Sequence, residues 1–129
     1  MPRSAGARRS AELEAIAATI EEADGRAAVL AGDVRDEGYA EALVELAVSA
    51  FGGVDGAFNN AGIVGEMAPV PEMGTGTWHD VLSVNLTAAF LAAKAQIPAI
   101  RNRGGGSIVF TSSFVGYSNG GLPGMGAYA

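Results

Sequence analysis

The chain contains no cysteine, so disulfides and thiolate-held metals are excluded among its residues. A single histidine, His79, leaves no material for a histidine metal cluster or a Ser–His catalytic pair, and no metal is expected. Basic residues are also scarce: 8 Lys and Arg stand against 14 Asp and Glu, a formal net charge of −6. Nucleic acid is therefore not expected as a partner, because neutralising phosphates takes clustered Lys and Arg. Arg3, Arg8 and Arg9 gather near the start, enough for a local anion site and no more. No apolar run is expected to reach the ~18–20 residues of a membrane span, and no basic n-region precedes an apolar h-region. These absences point to a cytoplasmic protein with no membrane partner. The 129 residues, 49% of them hydrophobic, fit a single domain spanning residues 1–129.

What is present is an alternation of helix and short apolar strand. Residues 10–24 place Leu13, Ile16, Ala17 and Ile20 on one helical face, with Asp24-Gly25 as a stop. Ala27–Ala31 is uniformly apolar, as expected of a buried parallel strand. Asp36 is placed to cap a second helix that runs to Phe51 and ends at Gly52-Gly53. Residues 54–58 read as the next strand and 62–76 as a loop. Thr77 is then expected to cap a long helix towards Arg101, with Asp80 as its capping partner and Pro98 kinking or ending it. Gly104-Gly105-Gly106 turns the chain into a strand at 107–112, and residues 114–126 show no period. This alternation predicts an α/β fold with a parallel sheet.

Several residues at the ends of these elements carry chemistry in combination. Asp33-Val34 closes the first apolar strand, Asn59-Asn60-Ala61-Gly62 follows the second, and Asn85 lies within the long helix. Ser112-Ser113 follows the last strand, and Gly126-Ala127-Tyr128-Ala129 closes the sequence. In this order and spacing they resemble the middle of a short-chain dehydrogenase/reductase, over residues 6–129 and about half of a full family member. The resemblance implies a Rossmann-type doubly wound parallel sheet, incomplete here, with family strands three, four and five and their flanking helices. It also implies an NAD(P)-dependent oxidoreductase acting on a small alcohol or carbonyl substrate, homo-oligomeric in its full-length form.

The resemblance also implies roles. Asp33 and Val34 would bracket the adenine, carboxylate to the exocyclic amine and backbone N–H to the ring. Asn60, Ala61 and Gly62 would face the cofactor ribose and stiffen the sheet. Asn85 would hold a water of the proton relay, Ser113 would orient the substrate, and Tyr128 would be the proton donor. Arg8 or Arg9, at the end of the family's second strand, would meet a 2′-phosphate, favouring NADP over NAD. Chemically, hydride transfer to a carbonyl needs a proton donor within ~2.6–3.2 Å of the forming alkoxide. A free tyrosine, with a pKa near 10, is a poor base at neutral pH. The family lowers it with a lysine one helical turn later, past Ala129.

The sequence departs from the family in two ways. The interval from Ser113 to Tyr128 is slightly longer than usual, within a loop that tolerates it. No glycine-rich turn opening a helix is visible to hold a pyrophosphate. The expectation is a partial chain that is inactive alone. Family strand order is 3-2-1-4-5-6-7, so with strand one absent and strand two a stub around Ala5–Arg8, strands three and four should lie about 14 Å apart. Two alternatives stand beside this reading. One is a non-catalytic remnant docking on full-length relatives through helix 77–101; the other is an unrelated α/β nucleotide-binding protein.

Overall fold

Two pairs of short strands set the architecture of residues 3–7, 9–118 and 122–129, which the computed structural model describes. β1 (Arg3–Ala7) runs parallel to β2 (Ala27–Ala31), with Arg3 opposite Ala27 and Ala7 opposite Ala31. β3 (Gly56–Asn59) runs parallel to β4 (Ser107–Phe110), with Gly56 opposite Ser107. Parallel neighbours need long crossovers, and helices supply them. α1 (Ser10–Glu22) joins β1 to β2, and α2 (Glu37–Phe51) joins β2 to β3. From β3 the chain passes through a loop into α3 (Thr75–Leu82), a π turn (Ser83–Thr87) and α4 (Ala88–Asn102), which are continuous. The α/β class with parallel strands is as expected, with one correction. Four strands are present among the described residues, because the anticipated stub at Ala5–Arg8 is a strand from Arg3 to Ala7 paired with β2 along its length.

The two pairs do not join. Among the described residues no Cα of β1 lies within 8 Å of a Cα of β3, whereas adjacent strands sit about 4.8 Å apart. This is the spacing of a sheet with a strand left out between them. The halves are held together through α2 and α4, where Lys94 Nζ lies 2.5 Å from Glu37 Oε1. A groove of about 400 Å³, lined by Val44, Val48, Pro98 and Ala99 among others, remains between these helices.

Burial is correspondingly thin. Among the described residues only Val81 is fully enclosed, with Leu13, Tyr39, Ala47, Ala88 and Ile100 mostly so. Phe58 on β3 is 67% exposed and Phe110 on β4 is 46% exposed. The expected apolar face of α1 is covered at Leu13 but not at Ile16, since a two-stranded sheet is too narrow to reach it. The accessible surface is 8302 Å², against about 6,300 Å² for a compact monomer of this size.

Local chemistry explains the boundaries. Asp36 caps α2 by accepting from the Gly38 N–H at 2.9 Å, and Gly52, with φ of 83°, closes it in the left-handed conformation. Tyr39 lies over Gly32 and donates its hydroxyl to the Leu30 carbonyl at 3.0 Å; burial pushes that hydroxyl's pKa up. Two expectations for the long helix are corrected. It starts at Thr75 after Gly74, not at a Thr77 cap, because Thr77 is inside the first turns and packs towards Gly65. Pro98 does not end it; the helix runs to Asn102. Pro98 is exposed, so water can bond the carbonyl that loses its i+4 donor.

The continuous helix Thr75–Asn102, 28 residues, is long and apolar enough to cross a membrane by length and composition, which corrects the expectation that no such run exists. Its polar residues Asn85, Lys94 and Gln96 bond to Ile63, Glu37 and Asn59.

Gly106 gives the fold its first test. A Cβ there would lie 2.1 Å from the Asp55 carbonyl oxygen, a backbone atom that cannot swing aside. Gly106→Ala is expected to open the start of the β3–β4 pair at a cost of about 1–3 kcal/mol. Hydrogen exchange at the Ser107 amide, which bonds Asp55 O at 3.3 Å, should accelerate accordingly. Unchanged exchange at that amide would contradict the steric argument.

Candidate active site

Asp33, Asn60 and Ser113 follow the carboxyl ends of β2, β3 and β4, the ends where open parallel sheets place their ligands. The end of β3 is the most tightly built. Asn59 and Gln96 exchange amide hydrogen bonds, Nδ2 to Oε1 and Nε2 to Oδ1, both 2.9 Å, which fixes β3 on α4. The Thr111 amide donates to Asn59 O at 2.9 Å, and its hydroxyl donates to Asn60 Oδ1 at 2.7 Å. Asn60 therefore ties β3 to the chain after β4, while Asn60, Ala61 and Gly62 remain exposed. The Asn59–Gln96 pair is invisible in the sequence, since two amides at that separation show no local pattern.

Asn85 sits in the π turn, where the Ala88 N–H bonds Ser83 O in place of the α-helical partner. Its half-buried side chain grips one residue of the loop after β3 from both sides. Oδ1 accepts from the Ile63 N–H and Nδ2 donates to the Ile63 carbonyl, each at 2.9 Å. The side-chain amide is thus engaged with backbone.

After β4, Ser113 caps a short 3-10 turn, Phe114–Gly116, its Oγ accepting from the Val115 N–H at 3.3 Å. Tyr128 is half-buried in the turn at the other end of this stretch, where Tyr128 N and Ala129 N both donate to Met125 O. That turn rests against the Gly65–Met73 loop through the Ala68 N–H to Gly124 O bond of 3.1 Å. The final residue comes back to the Ser113 turn: a Cβ at Gly116 would lie 3.8 Å from Ala129 O. The two segments are brought together, with no direct hydrogen bond between the Ser113 and Tyr128 hydroxyls.

The end of β2 is charged. Arg35 Nε donates to Asp33 Oδ1 at 3.0 Å and Nη2 to Oδ2 at 2.6 Å, and the Arg35 amide also donates to Oδ1 at 3.0 Å. The hydrogen bond and charge of Asp33 raise the Arg35 guanidinium's pKa further. Val34 is half-buried in the same turn. Arg9 precedes α1, 80% exposed, and pairs with Glu12 at 3.2 Å. Arg8 lies outside the described residues. No three His, Cys, Asp or Glu side chains among the described residues gather as a metal site.

A sequence model of the short chain dehydrogenase family matches residues 4–129. The chain belongs to this family. It is 42% identical over 92 residues to a cyclohexanol dehydrogenase of Acinetobacter sp. (strain SE19), covering 71% of this chain and 37% of that protein. Its structure resembles that of a 3-ketoacyl-ACP reductase from Sinorhizobium meliloti 1021, with TM-score 0.94 and 36% identity, over 98% of this chain and 50% of that one. An NAD⁺-bound xylitol dehydrogenase matches with TM-score 0.91 and 32% identity, over 98% and 48%. The chain thus spans half or less of the length of these relatives.

Short chain dehydrogenases use NAD or NADP, and the residues present fit such a cofactor in part. A carboxylate stands at the end of β2, where it can accept from an amine, and an exposed backbone run, Asn60–Gly62, follows β3. Neither the N-terminus of α2 nor the turn Gly104–Gly106 offers a pyrophosphate cradle. The N-terminus of α2 is filled by the Asp36 carboxylate, and Gly104–Gly106 leads into β4 without opening a helix.

Proposed function

We propose that the whole protein transfers a hydride between a nicotinamide dinucleotide and a small uncharged alcohol or carbonyl compound. One observation carries this reading. Asn60 bonds Thr111, two residues before Ser113, Asn85 holds Ile63 beside Gly62, and Ala129, next to Tyr128, lies against the Ser113 turn at Gly116.

When bound, the dinucleotide supplies or receives the hydride. The residues of this chain handle position and proton. Tyr128 holds the proton that the substrate oxygen gains or loses. Ser113 is oriented for a second bond to that oxygen: its Oγ already accepts from Val115 N–H, so its own hydrogen is left to donate. Asn85 fixes the backbone at Ile63 and so sets the floor beside the Asn60–Gly62 run. Asp33 takes the adenine amine, with Val34 beside it. Exposed Met67, Phe114 and Leu122 border this region, which suits an uncharged substrate and agrees with a relative named for cyclohexanol.

The cofactor reading favours NADP through Arg8 and Arg9. Arg9 would have to leave Glu12, for which a 2′-phosphate, carrying more charge than a carboxylate, is the stronger partner. Exposed Leu86, Phe90 and Ile97 on the long helix suit contact with a second copy. The cytoplasm is the compartment that fits a cysteine-free chain.

The test is a hybrid in which residues 4–129 replace the matching half of the Sinorhizobium meliloti reductase. The hybrid is expected to oxidise NADPH or NADH with a ketone, while the chain alone gives no measurable turnover. Tyr128→Phe should lower kcat by about 10²–10⁴-fold. A hybrid whose kcat is indifferent to that substitution would remove the tyrosine from the mechanism.

A further inference from the structure

Two glycines shortly before Tyr128 have no part in the proposed reaction, yet each touches the loop after β3. Gly124 has φ of 80°, and its carbonyl accepts from the Ala68 N–H at 3.1 Å. A Cβ there would lie 3.0 Å from Ala68 N and 3.2 Å from Met67 C, both backbone atoms. A Cβ at Gly126 would lie 3.0 Å from Val70 Cγ2, on the 3-10 turn Val70–Glu72. The segment 124–126 is thus laid directly on the loop, at a separation that side chains would prevent. The loop is itself fixed on the long helix. Asn85 grips Ile63, and a Cβ at Gly65 would lie 2.5 Å from Cγ2 of the enclosed Val81. A line of contacts therefore runs from the helix through the loop to the turn that carries Tyr128.

We propose that Gly124 is a positioning residue for Tyr128: its bare backbone, seated on Met67 and Ala68, sets where the tyrosine turn stands relative to the Ser113 turn. This rests on the reading of Tyr128 as the proton donor. Such a donor must come within ~2.6–3.2 Å of the forming alkoxide, and a misplacement of about 1 Å can cost about 10²-fold in rate. Tyr128 N and Ala129 N both bond Met125 O, so residues 125–129 form one turn, and a shift at 124 is passed to the tyrosine. A side chain at 124 meets two obstacles. L residues rarely adopt a φ of 80°, and the opposing backbone atoms cannot swing aside, so the segment has to lift off the loop. At 126 the opposing atom is the tip of Val70, 73% exposed, which a substitution can trim. Experiment can therefore separate the two contacts.

The experiment is a double-mutant cycle in the hybrid that carries residues 4–129. Gly124→Ala is expected to lower kcat by about 10²-fold. Added to Tyr128→Phe, it should cost less than about threefold more, because a donor already removed cannot be misplaced. A merely structural loss would instead multiply in full with that of Tyr128→Phe. Gly126→Ala should lower kcat by about tenfold with the same coupling to Tyr128→Phe, so it decides the matter if Gly124→Ala does not assemble. Val70→Ala should recover most of the Gly126→Ala loss, since the obstructing Cγ2 is gone, and none of the Gly124→Ala loss. In the 129-residue chain, in trimethylamine N-oxide, Gly124→Ala should release the Ala68 amide to hydrogen exchange. Losses that multiply in full with Tyr128→Phe, a Gly124→Ala kcat within about twofold of the unmodified hybrid, or an Ala68 amide that Gly124→Ala leaves unchanged would overturn the proposal and leave Tyr128 as the donor. A Tyr128→Phe hybrid with undiminished kcat, or an unmodified hybrid without turnover, would overturn the reading beneath it as well.

Discussion

In urea, the polypeptide of residues 1–129 is expected to unfold over a broad range, with an m-value well below the roughly 1–3 kcal/mol per molar of small domains. The reason is geometric. An m-value scales with the surface exposed on unfolding, and this chain already exposes 8302 Å², about 2,000 Å² beyond a compact monomer of its size. Its strands form two separate pairs, and a two-stranded sheet is marginal in water without further packing. The apolar side chains that a third neighbour would cover, Phe58 and Phe110 among them, face solvent. Between the halves there is chiefly the α2–α4 contact, itself split by a groove and fastened by the exposed Lys94–Glu37 pair. Such an exposed pair adds little, because water screens it. The helices, held by local bonds, should outlast the sheet pairs, so circular dichroism and strand amide exchange should not coincide. A single sharp transition with an ordinary m-value, seen equally by both probes, would show that the split sheet is no weakness.

The elements that were legible in the sequence are those fixed by short-range chemistry. β2 was visible as a uniform apolar run, and both ends of α2 as an acidic cap and a pair of glycines. Asp33, Asn60, Asn85 and Ser113 were placed in the sequence because each sits just beyond or within an element whose type was clear, while Tyr128 was placed only by the resemblance, after a stretch without a period. What escaped was decided at long range. Thr77 looked like a cap until Gly65 gave it a packing partner, and the helix start moved to Thr75. Ile16 has the right spacing for a core face but is 51% exposed, beside a sheet of only two strands. Asp80 was assigned to a capping arrangement and instead meets Arg35, from a different crossover. The Asn59–Gln96 exchange belongs to the same class. Sequence marks where chemistry is placed; these cross-element bonds determine how firmly it is held.

Asn85 is where placement and firmness coincide, and substituting it should have the largest effect on the site. Asn85→Ala removes both bonds to Ile63 and leaves a half-buried N–H and carbonyl unpaired. At about 1–3 kcal/mol for each orphaned group, the loop after β3 should come free of the long helix. The Ile63 amide should lose its protection from hydrogen exchange, measured in trimethylamine N-oxide, while the α2 amides keep theirs. Asn85→Asp separates the two bonds by pH. Its ionised carboxylate still accepts from Ile63 N–H, but it now faces the Ile63 carbonyl with an acceptor where the amide had a donor. Its protonated form can donate, as Nδ2 does. The native environment therefore favours the neutral acid, and the carboxyl's pKa in the folded chain lies above its unfolded value, near 3.9. Stability from the reciprocal pair is then fully present below the unfolded pKa and is lost as pH rises through the folded one. Ile63 protection in Asn85→Asp should thus approach the unmodified chain in mild acid and resemble Asn85→Ala at neutral pH. Protection that is independent of pH, or equal to the unmodified chain at neutral pH, would mean that the Nδ2 bond to the Ile63 carbonyl is not what holds this loop on the helix.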